Sequence, residues 1–114
     1  MPQLPNAVRA VVEISKLRDY SLNAEHEVGK HKARVFKAAL GLTIKDAEWL
    51  QGTIVQAVRE VEAHPGSASP FGSKFVVDVM VTHGLLSAFV RTTWIIEYGT
   101  DFPRLTSCYV RGKH

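Results

Sequence analysis

The sequence predicts an α+β fold, with two N-terminal helices packed on one face of an antiparallel sheet of three to four strands. Two observations predict it. Apolar residues repeat with a helical period as far as Glu62, and with a period of two from Lys74 onward. At 114 residues the chain has room for one hydrophobic core, so residues 1–114 are expected to form a single domain.

The first helix is predicted over residues 30–40. Ala33, Phe36 and Leu40 fall on one apolar stripe, and Gly41 is the residue type that most often ends a helix. The opposite face of this helix is strongly basic.

The residues before this helix show less regular sequence patterns. Residues 8–14 suggest a short strand or an extended arm, and the sequence does not decide between them. Residues 15–20 are consistent with one helical turn, for which Ser15 is the expected N-terminal cap.

The second helix is predicted from Thr43 to Glu62. Asp46 follows Thr43 by three residues, an arrangement typical of a capping box, and apolar residues then recur at helical spacing. Residues 63–66 are expected to stop the helix, and residues 66–72 to form a loop of small residues.

Three strands are predicted after this loop, over residues 74–81, 86–97 and 104–110. The links between them, at residues 82–85 and 99–103, are short. Short links join neighbouring antiparallel strands, so a meander is expected.

The two faces of the predicted hairpin differ in composition. A turn centred on His83 and Gly84 places residue 79 opposite residue 88, and one face is then almost wholly apolar. The residues expected in the core are Val77, Val79, Val81, Leu86, Ala88, Val90, Trp94 and Ile96. The other face carries Asp78, Phe89, Arg91, Thr93 and Glu97 beside Val76 and Met80. That polar composition indicates an open face that is available for binding.

The net charge, the single cysteine and the missing sequence motifs limit the possible classes of function. Fourteen Lys and Arg against eleven Asp and Glu give a net charge of +3, which permits an anionic partner such as RNA without requiring one. The single cysteine, Cys108, excludes an internal disulfide and a cysteine-based zinc site. The phosphate-binding, dinucleotide-binding and serine-hydrolase glycine motifs are missing from the sequence, and neither a metal nor a cofactor is expected.

Six ordered blocks resemble an uncharacterised bacterial domain family. They are LPNA at 4–7, KLRDYSLN at 16–23, GKHKARVFKAALG at 29–41, FG at 71–72, VRTTWII at 90–96 and PRLTSCYV at 103–110. That family occurs as small stand-alone proteins and at the C-terminal tip of large secreted haemagglutinin-like and polymorphic-toxin proteins. The resemblance implies a toxin effector, foremost a nuclease. At the level of fold alone, the layout also resembles the barnase, EndoU, colicin and RelE group of ribonucleases.

Three residues are candidates for metal-independent RNA cleavage. His31 is the expected general acid or base, because histidine titrates near neutral pH and the start of a helix favours an anion such as phosphate. Arg91 is expected to grip the phosphate and Thr93, on the same strand face, to orient it. Two alternatives stay open: a merely solvated helix face around His31, and an ion pair of Arg91 with Asp78 or Glu97.

Four further residues are candidates for substrate binding. Lys32 and Arg34 are candidates to contact phosphates, although most basic residues on helices only keep the surface soluble. Thr106 joins the face of Thr93 if the register of the third strand allows it. Tyr109, like Tyr20, is a candidate to stack on a base or donate a hydrogen bond, and a half-buried packing role is the more common alternative for both.

The leading hypothesis is a toxin-type endoribonuclease that acts on RNA, possibly tRNA, without a metal ion. Its expected protein partner is a cognate immunity or antitoxin protein. The alternative is a non-catalytic protein-binding module, either antitoxin-like or an accessory domain of a phage or secretion system. No apolar run approaches the roughly 20 residues that span a bilayer. The expected location is therefore the cytoplasm, or a target cell if the chain is part of a secreted toxin.

Overall fold

Residues 2–112, which the computed structural model describes, form three α-helices followed by a four-stranded antiparallel sheet. The helices are α1 (Ile14–Lys16), α2 (Lys30–Leu40) and α3 (Ala47–Ala57). The strands, which lie in the sheet in chain order, are β1 (His64–Pro65), β2 (Gly72–His83), β3 (Leu86–Glu97) and β4 (Arg104–Gly112). The predicted α+β class and the meander are confirmed.

Helix α2 has the predicted bounds. Its apolar stripe, which includes Ala33, Phe36 and Leu40, is buried against the sheet, where α2 contacts β3 and β4. Gly41 adopts a φ of 68° and its N–H bonds to the carbonyl of Lys37, as in a left-handed helix end. The basic face of α2 is therefore directed away from the core.

Helix α3 begins later than predicted, at Ala47 rather than at Thr43, and it also ends earlier. The Thr43 N–H donates to Asp46 Oδ2 at 2.9 Å, which completes the predicted capping box in a short 3₁₀ turn before α3. The prediction that this helix continues to Glu62 is wrong, because α3 ends at Ala57. The chain turns there so that β1 can pair with β2.

Strand β1 was not expected from the sequence. His64 pairs with Val76 and Pro65 with Phe75, where a helix stop and a loop were predicted. Proline has no N–H, but it is tolerated at this position because β1 lies at the edge of the sheet. Two residues are too few to produce a period-two signal in a sequence.

The N-terminal segment also differs from its prediction. Residues 8–14 form no continuous strand, and only the part of this segment around Val11 is extended and bonded to β4. A 3₁₀ turn covers Ala7–Arg9, and Val11 then makes one parallel bridge to Arg104. The expected cap at Ser15 is absent, since α1 already begins at Ile14 and continues as a wider π-helical turn over Leu17–Ser21.

The hairpin of β2 and β3 keeps the predicted faces with a shifted register. Val79 pairs with Val90 rather than with residue 88, a shift of two residues that preserves the predicted alternation of the two faces. The turn lies at Gly84 and Leu85, with Gly84 at a φ of 64°. The predicted core positions that are buried are Val77, Val79, Val81, Ala88, Val90 and Trp94.

Two predicted core positions are wrong. Leu86 is exposed because it lies beside the turn at the end of the hairpin, and Ile95 rather than Ile96 is buried. Thr92 occupies the core face between Val90 and Trp94, and its hydroxyl is fully hydrogen-bonded there. Satisfying both hydrogen-bonding roles is what makes a buried threonine tolerable.

Strand β4 carries a bulge that shapes its outer surface. Thr93 pairs with Ser107 whereas Trp94 pairs with Leu105, so Thr106 is an extra residue in β4. Leu105 and Cys108 are both buried, and the residues between them are half-buried. The bulge therefore keeps Thr106 and Ser107 out of the core.

Candidate functional site

Two threonines meet on the outer face of β3 and β4. Thr93 Oγ1 lies 2.7 Å from Thr106 Oγ1, and it also donates to the carbonyl of Ser107 at 3.3 Å. Thr106 therefore joins the face of Thr93, which the sequence left dependent on register. The bulge in β4 places it there.

Arg91 is held in a bidentate ion pair. Its Nε and Nη2 donate to the two carboxylate oxygens of Asp78 at 2.9 and 3.0 Å, and Arg111 Nη1 lies 3.4 Å from the same carboxylate. The hydrogen bond from Arg91 holds the pKa of Asp78 below its usual value, and the same bond raises the pKa of Arg91. The ion pair considered from the sequence is thus present, and the cluster keeps one excess positive charge.

Lys32 reaches from the start of α2 to the edge strand β4. Its Nζ donates to Ser107 Oγ at 2.8 Å and lies 4.8 Å from the ring centre of Tyr20 and 5.6 Å from that of Tyr109. These cation–π contacts and the hydrogen bond fix a long, flexible side chain in one position. Lys32 therefore carries a positive charge to the outer surface of β4.

Tyr109 connects Lys32 to Arg91. It is the cross-strand partner of Arg91, and after Asp78 its side chain also contributes to the raised pKa of Arg91. Together with His31, Lys32, Val35 and Val110, it also lines an open groove of about 290 Å³, here called the Tyr109 groove. Tyr109 therefore lies between two positively charged side chains, Lys32 and Arg91.

His31 lies exposed in the Tyr109 groove. Within residues 2–112, its ring makes no hydrogen bond, ion pair or ring contact. Its ring nitrogens are therefore accessible to a ligand in the groove. The structure thus brings His31 together with Lys32 and Tyr109.

The predicted catalytic residues do not share one cavity. Thr93 and Thr106 line a separate cavity of about 170 Å³, here called the Thr93 cavity. Arg34 is exposed on α2 and has no hydrogen bond or ion pair in the part of the chain that the structure describes. The candidate residues other than Arg34 are therefore arranged along β4 and its neighbours.

Two residues of this surface lay outside the predicted site. Ser107 anchors Lys32, and its outward position depends on the bulge, which has no sequence signal. His26 accepts the N–H groups of Val28 and Gly29 through Nδ1, at 3.0 and 2.9 Å. The backbone that leads into α2 thus has an internal acceptor.

Three further observations concern metal binding, the reactivity of the cysteine and membrane-spanning helices. Within residues 2–112, no three His, Cys, Asp or Glu side chains are grouped so that they could hold a metal ion. Cys108 is buried, and burial raises the pKa of its thiol to about 11, so it is protonated at neutral pH. Over the same residues, no helix is long and apolar enough to cross a membrane.

Fold and surface together define a small α+β protein with a cationic sheet edge that carries hydroxyl groups and tyrosine rings. The chain belongs to a family described as a domain of unknown function, DUF6883, whose model matches residues 3–112. No curated protein and no solved structure matches the chain. Membership of an uncharacterised domain family is therefore confirmed, while the toxin context and the likeness to ribonucleases stay predictions.

Proposed function

We propose that this protein is a toxin-type endoribonuclease that cleaves RNA without a metal ion, with the Tyr109 groove as its reaction site. One observation carries the proposal: an exposed histidine without an internal partner shares an open groove with a fixed lysine and a tyrosine ring. These are a proton acceptor, a phosphate-binding charge and a surface for a base. The toxin setting rests on the family resemblance of the sequence.

The reaction needs only groups that this groove contains, together with water. His31 accepts the proton of a ribose 2′-hydroxyl while that oxygen forms a bond to the adjacent phosphorus. The bond from phosphorus to the 5′-oxygen breaks, and this oxygen takes a proton from water. The proton held by His31 then neutralises the hydroxide and restores the free imidazole. Lys32 stabilises the charge that develops on the phosphate oxygens. The products are a 2′,3′-cyclic phosphate and a free 5′-hydroxyl.

Arg91 and Thr93 have supporting roles in this proposal. Asp78 orients the guanidinium of Arg91 next to Tyr109, where the cluster adds positive potential to the phosphate site. Thr93 is bonded to Thr106 and orients an adjoining part of the RNA chain. The predicted partner is an immunity or antitoxin protein whose acidic surface covers these groups.

A cleavage assay with paired variants tests the proposal. Labelled RNA in EDTA is incubated with the wild type, His31→Ala, Lys32→Ala and Lys37→Ala, and circular dichroism checks that each is folded. Lys37 is the matched control, because it is an exposed lysine of the same helix that lines a different cavity. His31→Ala is expected to lose about 100-fold or more of the rate, since general acid–base catalysis contributes that much, and Lys37→Ala to keep it.

Two results would contradict the proposal. One is intact RNA with folded wild-type protein, and the other is equal cleavage by wild type and His31→Ala. The second would assign the cleavage to a contaminant or to another site.

A second candidate function, a non-catalytic protein-binding module, is favoured by a different surface. An apolar groove of about 570 Å³ runs along α3 and is lined by Trp49, which is 40% exposed. The Trp49 ring lies 4.8 Å from that of His83, whose Nδ1 is 2.7 Å from the carbonyl of Leu40. A large exposed aromatic ring that is held in one position is typical of surfaces that bind another protein. Intact RNA in the assay would favour this function.

A further inference from the structure

A further cavity lies beside the Thr93 cavity. It measures about 350 Å³ and is lined by Ser15, Lys16, Tyr20, Thr106 and Ser107; it is here called the Tyr20 cavity. Thr106 also lines the Thr93 cavity, so these two cavities adjoin. The remaining walls of the Thr93 cavity include Ser67 and Lys74.

One side chain links the Tyr109 groove to the Tyr20 cavity. Lys32 lines the groove, while its Nζ bonds to Ser107 and contacts the ring of Tyr20, and both of these residues line the Tyr20 cavity. Groove, Tyr20 cavity and Thr93 cavity therefore follow one another along β4. We refer to the three together as the β4 track.

Every segment of the β4 track has a lysine. Lys32 lines the groove, Lys16 the Tyr20 cavity and Lys74 the Thr93 cavity. Among the described residues, no Asp or Glu lines any of the three. By contrast, the cavity beside α2 that contains Lys37 also contains Glu25, and the α3 groove contains Glu48. The track is therefore selectively suited to a chain of negative charges.

The rest of the lining suits a nucleic acid whose bases are unpaired. Tyr109 and Tyr20 provide rings in two adjacent segments, and aromatic rings bind bases only when the bases are free to stack on them. The Thr93 cavity has hydroxyl groups from Ser67, Thr93 and Thr106, which hydrogen-bond phosphate and ribose oxygens. In a duplex, the faces of the bases are stacked on neighbouring base pairs and cannot contact these tyrosine rings.

We infer that the β4 track binds single-stranded RNA, with one nucleotide in each of its three segments. This inference rests on the proposed function and gives its substrate class: the reacting phosphate lies in the Tyr109 groove, and the neighbouring nucleotides occupy the Tyr20 and Thr93 cavities. Lys16 and Lys74 neutralise phosphates that do not react. Recognition through charge and stacking tolerates any base sequence.

Binding is measured with a probe that cannot be cleaved. A fluorescent 2′-fluoro oligouridine, alone or annealed to its complement, is titrated with wild-type protein at several salt concentrations. The single strand is expected to bind at least ten-fold more tightly than the duplex. Lys16→Ala and Lys74→Ala are each expected to weaken binding several-fold and to lower the slope of log K against log salt by about 0.7, the value for one phosphate contact of a single strand.

Two variants complete the design. Lys37→Ala lies outside the track and is expected to leave both affinity and salt slope unchanged. Tyr20→Phe keeps the ring and is expected to bind like the wild type, whereas Tyr20→Leu is expected to lose about ten-fold. Lys16 and Lys74 are not part of the core, so their variants report on binding even if Tyr20→Leu folds poorly.

The binding and cleavage experiments can refute the RNA-binding track and the proposed reaction independently of each other. Equal binding of duplex and single strand, or wild-type affinity in both Lys16→Ala and Lys74→Ala, overturns the track whether or not RNA is cleaved. Loss of binding in these variants, together with intact RNA in the cleavage assay, supports the track and contradicts the proposed reaction at His31.

Discussion

Asp78 is the residue on which the charged cluster of the sheet depends. It accepts two hydrogen bonds from Arg91 and lies 3.4 Å from a nitrogen of Arg111. Removing the carboxylate would leave two neighbouring cations on one sheet face without their shared acid. The residue therefore both stabilises the fold and orients a guanidinium at the candidate site.

Asp78→Asn is expected to destabilise the protein at pH 7 by about 1–3 kcal/mol, the range for hydrogen bonds to charged groups. Because the pKa of Asp78 is lowered in the folded protein, its contribution is present above about pH 4 and is lost as the pH falls through the folded pKa. Urea unfolding of both proteins at pH 7 and near pH 2.5 measures this. A stability difference that stays constant or grows in acid would contradict the account.

Thr92 and Thr93 are adjacent in β3 and have opposite roles. The buried Thr92 hydroxyl donates to the carbonyl of Val77 at 2.7 Å and accepts from the indole N–H of Trp94 at 2.8 Å. The Thr93 hydroxyl is half-buried and bonds to Thr106. The Thr92 hydroxyl thus stabilises the core, whereas the Thr93 hydroxyl lies at the candidate site.

Thr92→Val is expected to cost about 1–3 kcal/mol, because it leaves the buried indole N–H without an acceptor. Thr93→Val, the matched control, is expected to cost less than about 1 kcal/mol, since water can replace the lost hydroxyl there. Thermal unfolding measures both variants. Equal losses of stability would show that the two hydroxyls are not divided between core and surface.

At the scale of elements, the contact between the π-helical turn and the start of α2 positions the groove. A Cβ added to Gly29 would lie 2.2 Å from the carbonyl oxygen of Tyr20, so the two segments touch through their backbones. The φ of Gly29 is −70°, which any residue adopts, and the glycine is required only for space. This contact places Tyr20 next to Lys32.

Gly29→Ala is expected to destabilise the protein by about 1–3 kcal/mol or more, the cost of forcing a methyl group into a packed site. The matched control is Gly52→Ala in α3, where an added Cβ meets nothing within 4 Å. It is expected to stabilise by about 0.8–1 kcal/mol, because alanine is the better helix former. Thermal unfolding measures the stability of both variants. A Gly29→Ala protein as stable as the wild type would contradict the close approach of Gly29 to Tyr20.

Elements with long periodic patterns were predictable from the sequence, and elements set by tertiary pairing were not. Helix α2 and the capping box at Thr43 depend on local residues and match the prediction. Strand β1 and the early end of α3 depend on the pairing of His64 with Val76, twelve positions away. The same reason applies to Val11, whose bridge to Arg104 has no local signal.

At the scale of the whole molecule, the candidate site is a surface assembled from distant parts of the chain. Lys32 comes from α2, Tyr20 from the turn after α1, and Tyr109 from β4. Their residue types pointed to RNA chemistry, and His31, Lys32 and Tyr109 were predicted and are brought together. The arrangement along an edge strand depends on the bulge that displaces Thr106 and Ser107, and bulges leave no period in the sequence.

The most direct test of the central claim is the chemical identity of the ends that the wild-type protein leaves on a single-stranded RNA in EDTA. Attack by the 2′-hydroxyl, with His31 as proton acceptor, predicts a 2′,3′-cyclic phosphate on one fragment and a 5′-hydroxyl on the other, and no cut in DNA of the same sequence. A 5′-phosphate end, or RNA left intact by the folded protein, would contradict the account.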